Sequence, residues 1–134
     1  MQSLLDPKSP LAPVLVEGET ARMMAAAFAG SMRQATNAIR AGVPVIAGSD
    51  AGNPVTFHGI SLIRELELLA QAGMPRTDVL KSPTSRPADR LGQSSFGRIT
   101  ANAIADLVVL DADPTEQVGA YRKVARVYLG GVAR

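Results

Sequence analysis

Cysteine is absent from all 134 residues, and aromatic side chains make up only 4%. The first absence excludes disulfides, thiolate metal ligands and a cysteine nucleophile, and it suits a reducing cytoplasm. The second removes the stacking platforms that single-stranded nucleic acid needs. Neither sign of charge dominates, because 14 Lys and Arg are scattered among 12 Asp and Glu for a net charge of +2. No basic face for nucleic acid follows from such a distribution. No apolar run approaches the roughly 20 residues of a membrane-spanning helix. The opening Met1-Gln2-Ser3-Leu4-Leu5-Asp6-Pro7-Lys8 has no basic and then apolar pattern of a signal peptide. Histidine occurs once, as His58.

Hydrophobic residues reach 46%, enough to build a core. Their spacing divides the chain into three regions. Residues 1–19, with Pro7, Pro10 and Pro13, read as an irregular lead-in. Residues 20–92 carry helical and buried-strand patterns, and residues 93–134 carry short strands joined by turns.

Within 20–92, Met24, Phe28, Met32, Ala35 and Ile39 recur at steps of three and four. They predict one helix from Thr20, its N-cap, to Ala41, with Gly42 as its stop and the stripe packed in a core. The run Val43-Pro44-Val45-Ile46-Ala47-Gly48-Ser49-Asp50-Ala51-Gly52 predicts a strand buried on both faces, with Pro44 tolerable at its start. A second helix follows the loop at 53–59, with Leu62, Leu66 and Leu69 inward, Ser61 as cap and Glu65 favouring its positive start. Arg64 and Glu65 read as an exposed face. Gly73 and Pro75 end that helix. Short helices are expected near 77–82 and from Pro87 to Gly92. Strands are expected at 97–100, 105–110 and 124–129, ending at Gly130-Gly131. A single parallel-type strand cannot form a sheet alone, so the pattern belongs to something larger or pairs with another chain.

Five strings in order carry a resemblance. Gly48-Ser49-Asp50-Ala51-Gly52 is followed by His58-Gly59-Ile60-Ser61-Leu62 with Arg64-Glu65-Leu66-Glu67-Leu68-Leu69, and by Ala72-Gly73-Met74. Thr84, Pro87-Ala88 and Leu91-Gly92 come next, then Gly97-Arg98-Ile99 and Ala105-Asp106-Leu107-Val108-Val109-Leu110-Asp111 with Asp113-Pro114. From about Thr20 to Arg134 the chain resembles the amidohydrolase superfamily, in its imidazolonepropionase-like and prolidase-like branch.

The resemblance implies an α/β fold: the C-terminal portion of a metal-dependent hydrolase (β/α)8 (TIM) barrel, with strands of a small composite β domain. It implies a centre with two histidines from the first strand, a carboxylated lysine or glutamate from the fourth, histidines from the fifth and sixth, and an aspartate from the eighth. Only that aspartate has a match, Asp50, which in the family binds metal and takes the proton of the attacking water. A carboxylate at a strand's C-terminal mouth can reach Zn²⁺ at about 2.0–2.2 Å. From the residues alone, Asp50 reads rather as the start of a loop, capping backbone N–H groups. His58 either lines a substrate pocket or supports a metal ligand, or it is a loop histidine bonded to backbone.

Three departures from the family pattern stand out. Asn102 replaces a turn glycine and, as the next-best left-handed residue, is a mild change. Pro83 should shorten a helix, and Arg86 stands where an asparagine cap is usual.

A barrel needs about 250 residues, so the expected function is a metal-dependent hydrolase of C–N bonds present as a C-terminal segment inactive alone. Its expected cofactor is a divalent metal, zinc by resemblance. Its expected substrate is a small amide, cyclic amide or dipeptide, and its expected partner is the missing N-terminal segment. The alternative is a non-catalytic remnant that self-associates as a homo-oligomer. A third arrangement pools Asp50 and His58 of two chains around one metal.

Overall fold

The computed structural model describes residues 18–53 and 56–134. The lead-in expected at 1–19 lies outside these through residue 17, as do residues 54 and 55 of the loop before the second helix. Four helices come first: α1 (Gly18–Arg40), α2 (Ile60–Gln71), α3 (Arg76–Lys81) and α4 (Ser85–Arg90). Strands β1 (Leu107–Leu110), β2 (Val124–Leu129) and β3 (Val132–Ala133) follow, with a 3₁₀ helix at Val118–Arg122 before β2. None of the described helices is long and apolar enough to cross a membrane.

Three helices stop by the same local device. After α1, the Gly42 N–H donates to the Ile39 carbonyl at 3.0 Å and the Val43 N–H to Ala38 at 3.0 Å. After α2, Gly73 and Met74 reach Ala70 and Leu69 in the same pattern, and after α4, Gly92 and Gln93 reach Asp89 and Ala88. This paired closure needs a residue with positive φ just past the helix, which glycine takes without a Cβ penalty.

The starts differ from expectation. Thr20 lies inside α1, which begins at Gly18, and α2 begins at Ile60 behind Gly59. Ser61 therefore does not cap α2. Its Oγ instead accepts the Phe57 N–H at 2.8 Å, steadying the approach to the helix. Glu65 sits beyond the first turn, which holds no acidic residue. Pro87 is the third residue of α4, still within the first turn where its missing N–H costs nothing.

The core is small. Leu66 and Leu69 of α2 meet Met74, Val79 and Tyr121, with Ile39, Val45, Ala47, Ile63, Leu110 and Val118 packed against them. Ile39 thus anchors the far end of α1. The expected burial of its stripe fails at the other end: Met24 and Phe28 are each 49% exposed, and no residue of α1 is buried. Nothing among the described residues covers that face.

Residues 43–50 belong to no strand. Val45, Ala47 and Ser49 are half-buried while Ile46, Gly48 and Asp50 are exposed, an alternation of period two. One face rests on the core and the other is bare. A parallel strand exists only through flanking strands, and none of the described residues supplies one.

The C-terminal region forms one antiparallel sheet in the order β1-β2-β3. Val108 pairs with Val127 and Leu129 with Val132, the latter across Gly130-Gly131, both at positive φ. Residues 97–100 are irregular, bending at 97 and 98, and do not form the expected strand. Gly97, at φ 70, lies so close to Thr84 that a Cβ would run into the Thr84 carbonyl. Asn102 takes φ 66, the left-handed backbone its position predicts.

Candidate functional site

Asp50 ends the half-covered segment, with φ 49 and an exposed side chain. The loop after it folds back on it. Asn53 donates from Nδ2 to Asp50 Oδ2 at 2.7 Å, and Thr56 donates from Oγ1 to the Asp50 carbonyl at 3.0 Å. The same Thr56 hydroxyl also meets the Asn53 carbonyl at 2.8 Å. Asp50 Oδ1 takes no hydrogen bond among the described residues. The carboxylate is therefore oriented through one oxygen and open at the other. Its side chain receives the Asn53 amide and caps no backbone N–H among these residues.

His58 lies exposed in the turn before α2, its backbone carbonyl accepting the Ile60 N–H at 3.0 Å. Its ring makes no hydrogen bond among the described residues, and none joins it to Asp50. The surface groove of about 440 Å³ lined by Glu67, Gln71, Met74 and Arg76 includes neither residue.

Several other carboxylates hold the fold together. Asp78 pairs with Arg86, Asp89 with Arg98 and Glu67 with Arg122. Asp113 accepts the Thr115 N–H at 2.7 Å and hydroxyl at 2.6 Å, and these bonds hold its carboxyl below the usual carboxylate range. Asp106 accepts the Gly130 N–H at 2.7 Å. Arg64 is exposed and paired with Glu67, as an outer helix face predicts, whereas Glu65 is half-buried and burial pushes its carboxyl up.

The Asn53 and Thr56 contacts escape a reading of the sequence. Arg86 escapes it too. In place of a cap it brings its guanidinium to the segment that carries Asp50, with Nη1 3.4 Å from the Val45 carbonyl.

Residues 23–133 match the model of the Amidohydrolase family. A Xaa-Pro dipeptidase solved with methionine bound in its active site is similar in fold, with a TM-score of 0.69 and 27% identity. The similarity covers 77% of this chain and 25% of the dipeptidase. A Bifidobacterium longum protein described as a prolidase gives a TM-score of 0.67 at 31% identity, over 75% of this chain and 25% of its own. An adenine deaminase of Serratia proteamaculans (strain 568) is 41% identical over 51 residues, 38% of this chain and 9% of the deaminase. The chain thus spans about a quarter of the solved relatives and a tenth of the deaminase.

The fold of this superfamily is a TIM barrel, and its members generally use a divalent metal. Among the described residues no three His, Cys, Asp or Glu side chains gather where they could hold an ion. One carboxylate with one open oxygen does not meet the three or four protein ligands such a centre takes. The described residues do not fit a metal by themselves.

Proposed function

The chain belongs to the amidohydrolase family, and from that premise we infer that it is a segment of a metal-dependent hydrolase of C–N bonds whose active site is completed by protein outside it. Asp50 is the carboxylate this segment contributes. The observation that carries the reading is the open Oδ1 of Asp50, at the end of a segment covered on one face only. A barrel strand is covered on both faces and flanked on both edges, and the bare side of residues 43–50 is where that cover belongs.

The segment is the C-terminal quarter, which supplies the last barrel strand and part of the small β domain. Likeness to a Xaa-Pro dipeptidase favours a dipeptide or small amide as substrate. Zinc is the metal proposed. His58, exposed eight residues beyond Asp50, is proposed to face the substrate or to support a ligand. A cytoplasmic location is proposed for the assembled enzyme, in keeping with a segment free of cysteine.

A graft tests this reading. Residues 23–133 replace the matching segment of the Bifidobacterium longum protein, and bound metal is measured by elemental analysis without chelators. About one or two ions per chain are expected, with loss on Asp50→Ala. The 134-residue chain alone is expected to hold none. A folded graft without metal would sink the proposal.

The exposed Phe28 and Ile46 favour a second reading, in which identical chains cover one another without catalysis. A tight oligomer of the chain alone, free of metal, is its expected outcome. Half an ion per chain would instead mean a site shared across a dimer.

A further inference from the structure

Residues 43–50 meet the helices along one edge through two bonds. The Val45 carbonyl accepts from Arg86 Nη1 at 3.4 Å, and the Ala47 N–H donates to the Ser82 carbonyl at 3.1 Å. Along an extended chain, residues two apart turn their backbone polar groups to the same side, so both bonds act on one edge. Their anchors are held in turn. Ser82 is fully buried, and its Oγ donates to the Val79 carbonyl at 2.7 Å. Arg86 Nη2 lies 2.7 Å from Asp78 Oδ1.

One bond alone would leave the segment free to swing about it. A second, two residues away, fixes its direction. Only Gly48 and Ser49 separate Ala47 from Asp50, a reach of about 10 Å at roughly 3.3 Å per residue. The Asn53 and Thr56 bonds then close the loop beyond.

We propose that Arg86 is a positioning residue whose guanidinium, anchored on Asp78 of α3, grips the Val45 carbonyl and thereby sets where Asp50 stands. The planar guanidinium offers separate N–H groups to the two acceptors in one fixed geometry. Lysine would keep the charge beside Asp78 but is a single flexible point, unable to hold both acceptors in that geometry. This inference rests on the reading of Asp50 as a metal ligand, and its test separates the two.

Hydrogen exchange of the full chain is compared for wild type, Arg86→Ala, Arg86→Lys and Asp78→Asn. In both Arg86 variants the Ala47 amide, bonded to the Ser82 carbonyl, should exchange about tenfold faster, the scale of one hydrogen bond to a charged group. Asp78→Asn should give a smaller rise, and α2 should be unchanged in all. Wild-type exchange in Arg86→Lys would overturn the grip, because charge alone would then suffice. Equal acceleration in α2 would overturn it as well, since Arg86 would then act on general stability. In the grafted enzyme, Arg86→Ala should weaken zinc affinity about tenfold without changing the number of ions. Unchanged affinity would overturn the positioning role. If the graft holds no zinc with either residue, the metal reading falls, and the exchange result alone decides the grip.

Discussion

Arg122 holds both carboxylate oxygens of Glu67, Nε to Oε1 at 2.5 Å and Nη2 to Oε2 at 2.9 Å, across 55 residues of sequence. The pair ties the 3₁₀ helix to α2 at the edge of the core, where Tyr121 sits beside Leu66 and Leu69. Arg64 adds a third contact at 3.2 Å from the same helix face. The bidentate geometry is the strong form of such a pair. The Arg122 hydrogen bond leads in holding the Glu67 carboxyl below its ordinary 4.5, with Arg64 contributing and burial opposing.

That lowering fixes a pH dependence. A carboxyl titrating lower in the folded than in the unfolded chain stabilises the fold above the unfolded value and loses that contribution as pH falls through the folded one. Glu67→Gln should therefore lower the melting temperature at pH 7, and the gap to wild type should close as pH drops below about 4.5. Thermal melts from pH 7 to pH 3 read it directly. A gap that persists undiminished at pH 3 would assign the loss to packing, not charge.

Two left-handed positions should respond in opposite ways. Gly97→Ala places a Cβ against the Thr84 carbonyl at φ 70, and a cost of about 2–4 kcal/mol is expected. Asn102 already carries its Cβ at φ 66, so Asn102→Gly should stay within about 1 kcal/mol of wild type. Urea unfolding of both variants checks the pair. Equal losses would mean that the close approach to Thr84 has no energetic weight.

Tyr121 is 8% exposed, and its hydroxyl has no hydrogen-bond partner among the described residues. Burial pushes its pKa up. Removing an unpaired buried hydroxyl relieves a desolvation cost, so Tyr121→Phe should stabilise the chain by about 1 kcal/mol. Val79→Ala, at a fully buried position in the same cluster, should cost about 2 kcal/mol. Loss of stability in Tyr121→Phe would reveal a partner for the hydroxyl.

What could be read in the sequence was whatever a few neighbouring residues decide. Gly42, Gly73 and Gly92 stop their helices because the closing bonds lie within six residues. Strands 105–110 and 124–129 were legible from their apolar runs, although β1 begins only at Leu107. Residues 43–50 were not, because a strand is defined by its neighbours. β3 was missed because two residues carry no period, although Gly130-Gly131 is a hairpin turn signal. The Arg86 contact is not legible in the sequence because its acceptor lies 41 residues away. Asp50 is proposed as a site residue through resemblance alone, whereas the Asn53 amide on its carboxylate is visible only in the fold.

The bare face of α1 offers the sharpest separation of folding from assembly. Phe28 contributes little to this chain's own core, so Phe28→Glu should change its stability by no more than about 0.5 kcal/mol. The same carboxylate set into a buried contact would be unpaired and desolvated, which costs several kcal/mol. Sedimentation of the chain alone and metal content of the graft should therefore respond where the melting temperature of the chain does not. If Phe28→Glu leaves both the graft and any oligomer intact, α1 is a solvated helix and the cover for residues 43–50 must come from another direction. If the isolated chain melts at a much lower temperature, Phe28 is already packed within it, and the uncovered face described for α1 is wrong.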